Sequence, residues 1–202
     1  GKVVDFVGAS FALTSILQSV SGTPIYAWQV TSGETVLTSD AANPTFTLNV
    51  VGRYDVALTV TAGEQVVSAE RARYFFAAPR EQTVSSEGLT LAEAVADAID
   101  GSVIRVSGAV PVSETVAVSS AIAIEGVAGC AADSLVGSGT KCVIRLGNPN
   151  AVLRKVTVTG GGSIAQYEPG CGIHINANGG VVEDCVVTGN TADEPYALGV
   201  GV

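Results

Sequence analysis

Along the first 79 residues the apolar positions keep the period of a strand. Tyr54, Val56, Leu58 and Val60 alternate with Asp55, Ala57 and Thr59, so four large side chains face one way. Comparable runs lie at Val3–Val7, Phe11–Leu17, Ile25–Val30, Glu34–Thr38, Thr45–Val50, Glu64–Ala69 and Arg73–Phe76. Turn residues separate them, among them Ser21-Gly22-Thr23-Pro24, Ser32-Gly33 and Ala62-Gly63. The spacing predicts a sandwich of about seven strands over residues 1–79. Tyr26 and Trp28 share one face of their strand, and the lone Trp reads as a core anchor rather than a ligand platform.

The period then changes. Pro79 cannot donate to a ladder and marks a boundary. Thr90-Leu91-Ala92-Glu93 has the form of a capping box, and Leu91, Ala94, Val95, Ala98 and Ile99 form one apolar stripe. A short helix is expected here, closed by Gly101.

Beyond Gly101 the chain repeats. A shift of 29 residues carries Cys142 onto Cys171, Ile144 onto Ile173, Val152 onto Val181, and Val158-Thr159-Gly160 onto Val187-Thr188-Gly189. A shift of 40 carries Ile104-Arg105-Val106 onto Ile144-Arg145-Leu146 and Val116-Ala117-Val118 onto Val156-Thr157-Val158, with an inserted loop expected within Gly126 to Lys141. Equivalent runs of successive repeats point the same way, so parallel pairing is expected. The inward ladders would then be Ile104/Ile144/Ile173, Val106/Leu146/Ile175, Val156/Cys185 and Val158/Val187. The helix has the length and stripe to cover the open end of such a stack. Val200-Gly201-Val202 reads as the start of a further repeat, so the natural protein is expected to continue, and Gly1 leads straight into a strand as if an export signal had been removed.

Two resemblances sit on these residues. Tyr26-Ala27-Trp28, Asn43-Pro44-Thr45-Phe46 and Gly52-Arg53-Tyr54-Asp55-Val56-Ala57-Leu58-Thr59-Val60-Thr61 resemble a polycystic-kidney-disease-type domain of the immunoglobulin fold. The helix, the repeat and phrases such as Val182-Glu183-Asp184-Cys185-Val186-Val187-Thr188-Gly189-Asn190 resemble pectate-lyase-like right-handed β-helices, especially bacterial surface proteins. The resemblances imply an all-β chain. An Ig-like β-sandwich would fill residues 1–79, and residues 80–202 would hold a short capping helix and the first coils of a truncated right-handed parallel β-helix. They also imply a secreted or cell-surface setting.

Composition narrows the partners. The net charge of −9 repels nucleic-acid backbones and anionic membranes, and no Lys/Arg cluster offsets it. No apolar run is long enough for a membrane-spanning helix. Cys130, Cys142, Cys171 and Cys185 lack metal-site spacing, and His174 is the single histidine, so neither a metal site nor a cofactor is expected. Cys142 and Cys171 read as inward core fillers. Strands about 4.8 Å apart also allow a Cys142–Cys171 disulfide, and Cys130 could instead reach Cys142; the spacing leaves both open.

The β-helix resemblance raises polysaccharide cleavage, which uses paired carboxylates or an Arg/Lys base with calcium. The acids of the repeat are Glu114, Glu125, Asp133, Glu168, Glu183, Asp184, Asp193 and Glu194, all read as solvated turn carboxylates, and no catalytic residue is assigned. Gly160-Gly161-Gly162-Ser163 lacks the Lys-Ser/Thr of a phosphate loop, and Tyr167-Glu168-Pro169 reads as a surface turn. Arg105, Arg145 and His174 would stack as an outward column, interrupted at Gly201, that could bind acidic sugars or serve packing alone; packing is favoured in so acidic a chain. Three functions compete. One is a non-catalytic surface spacer or display module, adhesin-like and contacting extracellular polysaccharide or cell-surface glycan. Another is the front part of a polysaccharide lyase or glycoside hydrolase with catalytic coils beyond residue 202. The third is a carbohydrate-binding module using the sandwich. The reading leans to the first, and away from an enzyme for this fragment.

Overall fold

The structure is a computed structural model that describes residues 3–16, 22–163, 172–177 and 179–192. The described chain is mostly strand with one short helix, an all-β protein. It divides into two units, Gly1–Pro79 and Arg80–Val202.

The first unit holds β1 (Val3–Phe6), β2 (Ser10–Ala12), β3 (Ile25–Ser32), β4 (Thr35–Ser39), β5 (Thr45–Thr47), β6 (Gly52–Ala62) and β7 (Gln65–Ala78). Five strands form a sheet in the order β1-β7-β6-β3-β4, and β2 pairs antiparallel with β5. The alternation read on β6 holds: Tyr54, Val56 and Val60 are buried and Leu58 is half-buried. Tyr54 and Val56 pack with Trp28, Val30, Phe11, Phe46, Leu48 and Phe75 into one core, with Leu58 against it. Trp28 is the buried anchor, its Nε1 donating to Ala41 O at 3.0 Å.

Two expected strands, Glu64–Ala69 and Arg73–Phe76, are one long strand. The break in their pattern is a bulge, because the register slips between Tyr54 and Val56. Arg73 takes the left-handed backbone there, φ 51°, and its N–H donates to Asp55 Oδ1 at 2.6 Å in place of a ladder partner. The expected strand Phe11–Leu17 shortens to β2, and residue 17 lies outside the described residues.

In the second unit β8 (Glu81–Val84) leads to α1 (Leu91–Asp97). The capping box forms as read: Glu93 N–H donates to Thr90 Oγ1 at 3.2 Å, and Thr90 N–H donates back to Glu93 Oε2 at 3.1 Å. The helix ends before Gly101, since Ala98 is already extended. Leu91 and Ala94 are buried, and α1 packs against β8, β10 (Ala109–Val112) and β11 (Val116–Val118), beyond β9 (Val103–Val106).

From β9 the chain visits three sheets in turn and returns to the first. A second circuit runs through β12 (Ala123–Gly126), β13 (Ser134–Gly137) and β14 (Ile144–Leu146). A third runs through β15 (Val152–Arg154), β16 (Thr157–Thr159), β17 (Gly162–Ser163) and β18 (Ile173–Ile175). A fourth holds β19 (Val181–Glu183), β20 (Val186–Val187) and β21 (Thr191–Ala192). The sheets are β19-β15-β12-β9-β8, β10-β13-β16-β20 and β11-β14-β18, and β17 pairs with β21. Every one of these pairings is parallel.

The 29-residue echo is a register of the backbone. Ile144 faces Ile173, Val152 faces Val181 and Val158 faces Val187. The shift of 40 is not. Ile104 pairs with Ile124, then Leu153 and Val182 follow in the first sheet. Val116-Ala117-Val118 pairs with Ile144-Arg145-Leu146. The stretch expected to be an insertion, Gly126 to Lys141, contains β13. The inward residues form one continuous core, with Ile104, Ile124, Leu135, Ile144, Leu153 and Ile173 fully buried. Close stacking also constrains the turns. A Cβ on Gly126 would lie 2.0 Å from Lys155 O, so only glycine lets the second and third circuits approach there.

Candidate functional site

The corrected register moves the outward residues. Arg105 does not stand above Arg145 and His174. It lies on the first sheet, in a column that runs Thr83, Arg105, Glu125, Arg154, Glu183. Arg145 and His174 share a column with Ala117 on the third sheet.

Glu125 is the centre of the first column. It alternates with buried Ile124 and so points outward, yet it is only 7 % exposed because its neighbours cover it. Arg105 Nη1 donates to Oε2 at 2.9 Å, Arg154 Nη2 to the same oxygen at 2.8 Å, and Lys155 Nζ to Oε1 at 3.3 Å. Arg105 also reaches Glu81 at 3.3 Å, and Arg154 reaches Glu183 at 3.7 Å. Three cations thus meet three carboxylates across β8, β9, β12, β15 and β19. The Arg154 hydrogen bond above all, with Lys155 and the Arg154 and Arg105 charges, holds the Glu125 carboxyl below its ordinary value against the opposing effect of burial. Glu125 is therefore a carboxylate locked in its ionised form, suited to binding circuits together and unsuited to donating a proton.

The sign of the pH effect follows. With the folded value below the ordinary 4.5, Glu125 stabilises the fold above 4.5, and that contribution is lost as pH falls through the folded value. Glu125→Gln is expected to cost about 1–2 kcal/mol at neutral pH, since its partners are part-exposed, and to flatten the acid limb. Urea midpoints of both proteins in neutral and acid buffer check this.

On the third sheet Arg145 Nε donates to His174 Nδ1 at 3.1 Å. Burial first, and the Arg145 charge second, push the His174 imidazole down from 6.5, so it stays neutral and accepts. Its unfolded form binds the proton more readily, so stability should fall as pH drops below 6.5, and His174→Gln should remove that dependence in a pH-stability profile.

Asp133 and Glu114 are also engaged. Asp133 is 2 % exposed and accepts from three backbone N–H groups, of Gly108 (2.9 Å), Ala128 and Gly129 (3.0 Å). Asp133 and Glu125 are thus structural carboxylates rather than solvated turn residues. Glu114 pairs with Lys141. Asp184 takes the left-handed backbone, φ 51°, and so provides the bend between β19 and β20, as Lys155, φ 55°, does one circuit earlier. Glu168, Asp193, Glu194, Gly201, Val200–Val202 and Tyr167-Glu168-Pro169 lie outside the described residues.

Cys142 is a buried core filler, its thiol donating to Ile144 O at 3.3 Å. Cys130 faces the fourth circuit rather than Cys142, its Sγ donating to Asp184 O at 3.0 Å. Cys171 lies outside the described residues. Among the described residues no group of three His, Cys, Asp or Glu side chains is placed to hold a metal ion, and no helix is long and apolar enough to cross a membrane.

The first unit carries an open groove of about 610 Å³ over β3, β4 and β6. Ala27 and Ala57 leave room between the side chains of Gln29, Thr38, Ser39, Asp40 and Thr59. Tyr26 and Trp28 also line it, and the amide, hydroxyl and carboxylate groups of the other residues can exchange hydrogen bonds with neutral hydroxylated ligands. The outward alternation of Ala57 and Thr59 is visible in the sequence, but their meeting with Gln29, Thr38 and Asp40 depends on the pairing of β3 with β6 and β4.

No family model, curated protein or solved structure matches the chain.

Proposed function

We propose that the chain is a non-catalytic extracellular or bacterial cell-surface module, in which an immunoglobulin-like sandwich of the polycystic-kidney-disease type precedes the capping helix and first coils of a right-handed parallel β-helix. The repeated visiting order of three parallel sheets supports the β-helix. The packing of α1 on β8, β10 and β11, the outermost strands of those sheets, supports a cap. The Tyr54 hydroxyl donates to Val50 O at 2.7 Å, four residues upstream, an arrangement common in immunoglobulin-like sandwiches.

One observation carries the functional reading: Glu125, the buried outward carboxylate of the described circuits, is neutralised by Arg105, Arg154 and Lys155. Its charges hold one circuit to the next. A stack braced in this way suits spacing and display. Contact with extracellular polysaccharide or cell-surface glycan falls to the groove of the first unit, whose chemistry fits neutral sugars better than uronates.

The test is a polyuronate-cleavage assay together with retention on immobilised polyuronate and a neutral-glycan array. No cleavage and no uronate retention are expected, with any array signal confined to neutral glycans. Arg145→Glu should leave uronate retention unchanged, because Arg145 is engaged by His174 and the chain carries a net charge of −9. Release of unsaturated or reducing ends would overturn the non-catalytic reading, and uronate retention by the parent that Arg145→Glu abolishes would restore an anion-binding role to that pair.

A further inference from the structure

Two thiols from distant parts of the chain meet at one corner of the second unit. Cys130 lies in the loop between β12 and β13, and Cys185 lies in the bend between β19 and β20. Cys130 Sγ donates at 3.0 Å to Asp184 O, the carbonyl of the peptide bond that joins Asp184 to Cys185. A second contact holds the loop there independently. Thr157 Oγ1 donates to Cys130 O at 2.8 Å, and Thr157 faces Val186, the residue after Cys185, across the parallel ladder. Both cysteines are free and partly exposed. Cys185 Sγ packs against the interior and donates to Leu153 O at 3.5 Å, so closure of a disulfide requires that bond to be given up and the side chain to turn toward Cys130.

We propose that Cys130 and Cys185 are a redox pair that closes into a disulfide, fastening the second circuit's loop to the fourth circuit's corner. The oxidant is a small-molecule disulfide of the glutathione class. One protein thiolate attacks the oxidant, forming a mixed disulfide and releasing one small thiol. The second protein thiolate attacks the mixed disulfide at the protein sulfur, forming the Cys130–Cys185 bond and releasing the other small thiol. The protein gives up two electrons and two protons, and the oxidant disulfide is reduced to two thiols. Burial pushes the Cys185 thiol up, with the neighbouring Cys130 adding to the effect, so the first attack falls to Cys130 on the loop. The bond would span the third circuit, whose Lys155 bend lies between the two cysteines in sequence. It would thereby resist the parting of successive circuits, a useful property in an oxidising exterior.

The experiment treats the native protein with oxidised glutathione, blocks residual thiols, and maps it without reduction after trypsin and an aspartate-directed protease. These cuts separate Cys171 from Cys185. The expected result is a linked pair of peptides containing Cys130 and Cys185, lighter by two hydrogen atoms than the free pair and resolved by reductant. Cys185→Ser should abolish that species and leave Cys130 as a glutathione adduct. Separate glutathione adducts or free thiols at both positions in the parent protein, or linkage of Cys130 to Cys142, would overturn the proposal.

Discussion

Ile144→Asp is expected to unfold the second unit while leaving the first folded. Ile144 is fully buried between Val116 of the preceding circuit and Ile173 of the next. An aspartate there must either bury a charge with no cation beside it or take up a proton to stay neutral. The lost contacts and the buried polar group together should cost ~4 kcal/mol or more. A loss of that size is comparable with the whole stability of an ordinary domain. Ile144→Val, which removes one methylene and keeps the β-branch, should cost only about 1 kcal/mol. The single Trp of the chain, Trp28, belongs to the first unit and gives a separate signal. Urea unfolding should therefore show the Trp fluorescence transition retained and a large part of the far-ultraviolet dichroism transition lost. An Ile144→Asp protein as stable as the parent would mean that this position does not face the interior, and the register of Ile144 with Ile173 would fall.

Much of that architecture is legible in the residues because interior ladders repeat chemistry as well as spacing. Ile144 over Ile173 and Val158 over Val187 keep both identity and interval, so a shift of 29 finds them. The first circuit is harder to read. Its step along the first sheet, from Arg105 to Glu125, is 20 residues, while the next, from Glu125 to Arg154, is 29. A strand of three residues that points in, out and in looks the same on every sheet. Ile104-Arg105-Val106 and Ile144-Arg145-Leu146 share that form, but they stand on different sheets. Sequence likeness alone cannot say which sheet a short strand joins, so the repeat by itself sets Arg105 beside Arg145 and His174.

The Glu125 cluster was hidden for a related reason. Its cations lie 20, 29 and 30 residues away, and local sequence shows only a Glu between an Ile and a Gly. The 29-residue interval also runs from Val152-Leu153-Arg154 back to Ala123-Ile124-Glu125, and it carries the alternation of charge. The bulge in β7 had a local signal, the polar stretch Glu70-Arg71-Ala72-Arg73, but that stretch reads equally well as a turn between two strands. The partner that decides between them is Asp55, on another strand.

Asp133→Ala is expected to cost about 3 kcal/mol, a large loss for removing one carboxylate, because the change strands backbone rather than side-chain donors. The loop from Val127 to Asp133 turns back on itself, and its own N–H groups at Ala128 and Gly129 point at Asp133 Oδ2. The other oxygen takes the N–H of Gly108, in the turn between β9 and β10. Gly108 has a left-handed backbone, φ 73°, so the turn cannot easily rotate its N–H toward a new acceptor. Alanine leaves all three donors without their acceptor at a part-buried site. Asparagine has nearly the same shape. Its single carbonyl oxygen can keep the Ala128 and Gly129 bonds while its amide group faces Gly108, so Asp133→Asn should lose about 1–2 kcal/mol. Urea midpoints should therefore rank the parent first, Asn second and Ala last. Hydrogen exchange should accelerate at Gly108 in both variants, but at Ala128 and Gly129 only in the alanine protein. If the alanine variant stayed within about 0.5 kcal/mol of the parent, the loop would not depend on this carboxylate. The hold of the second circuit on the first would then rest on the apolar ladders alone.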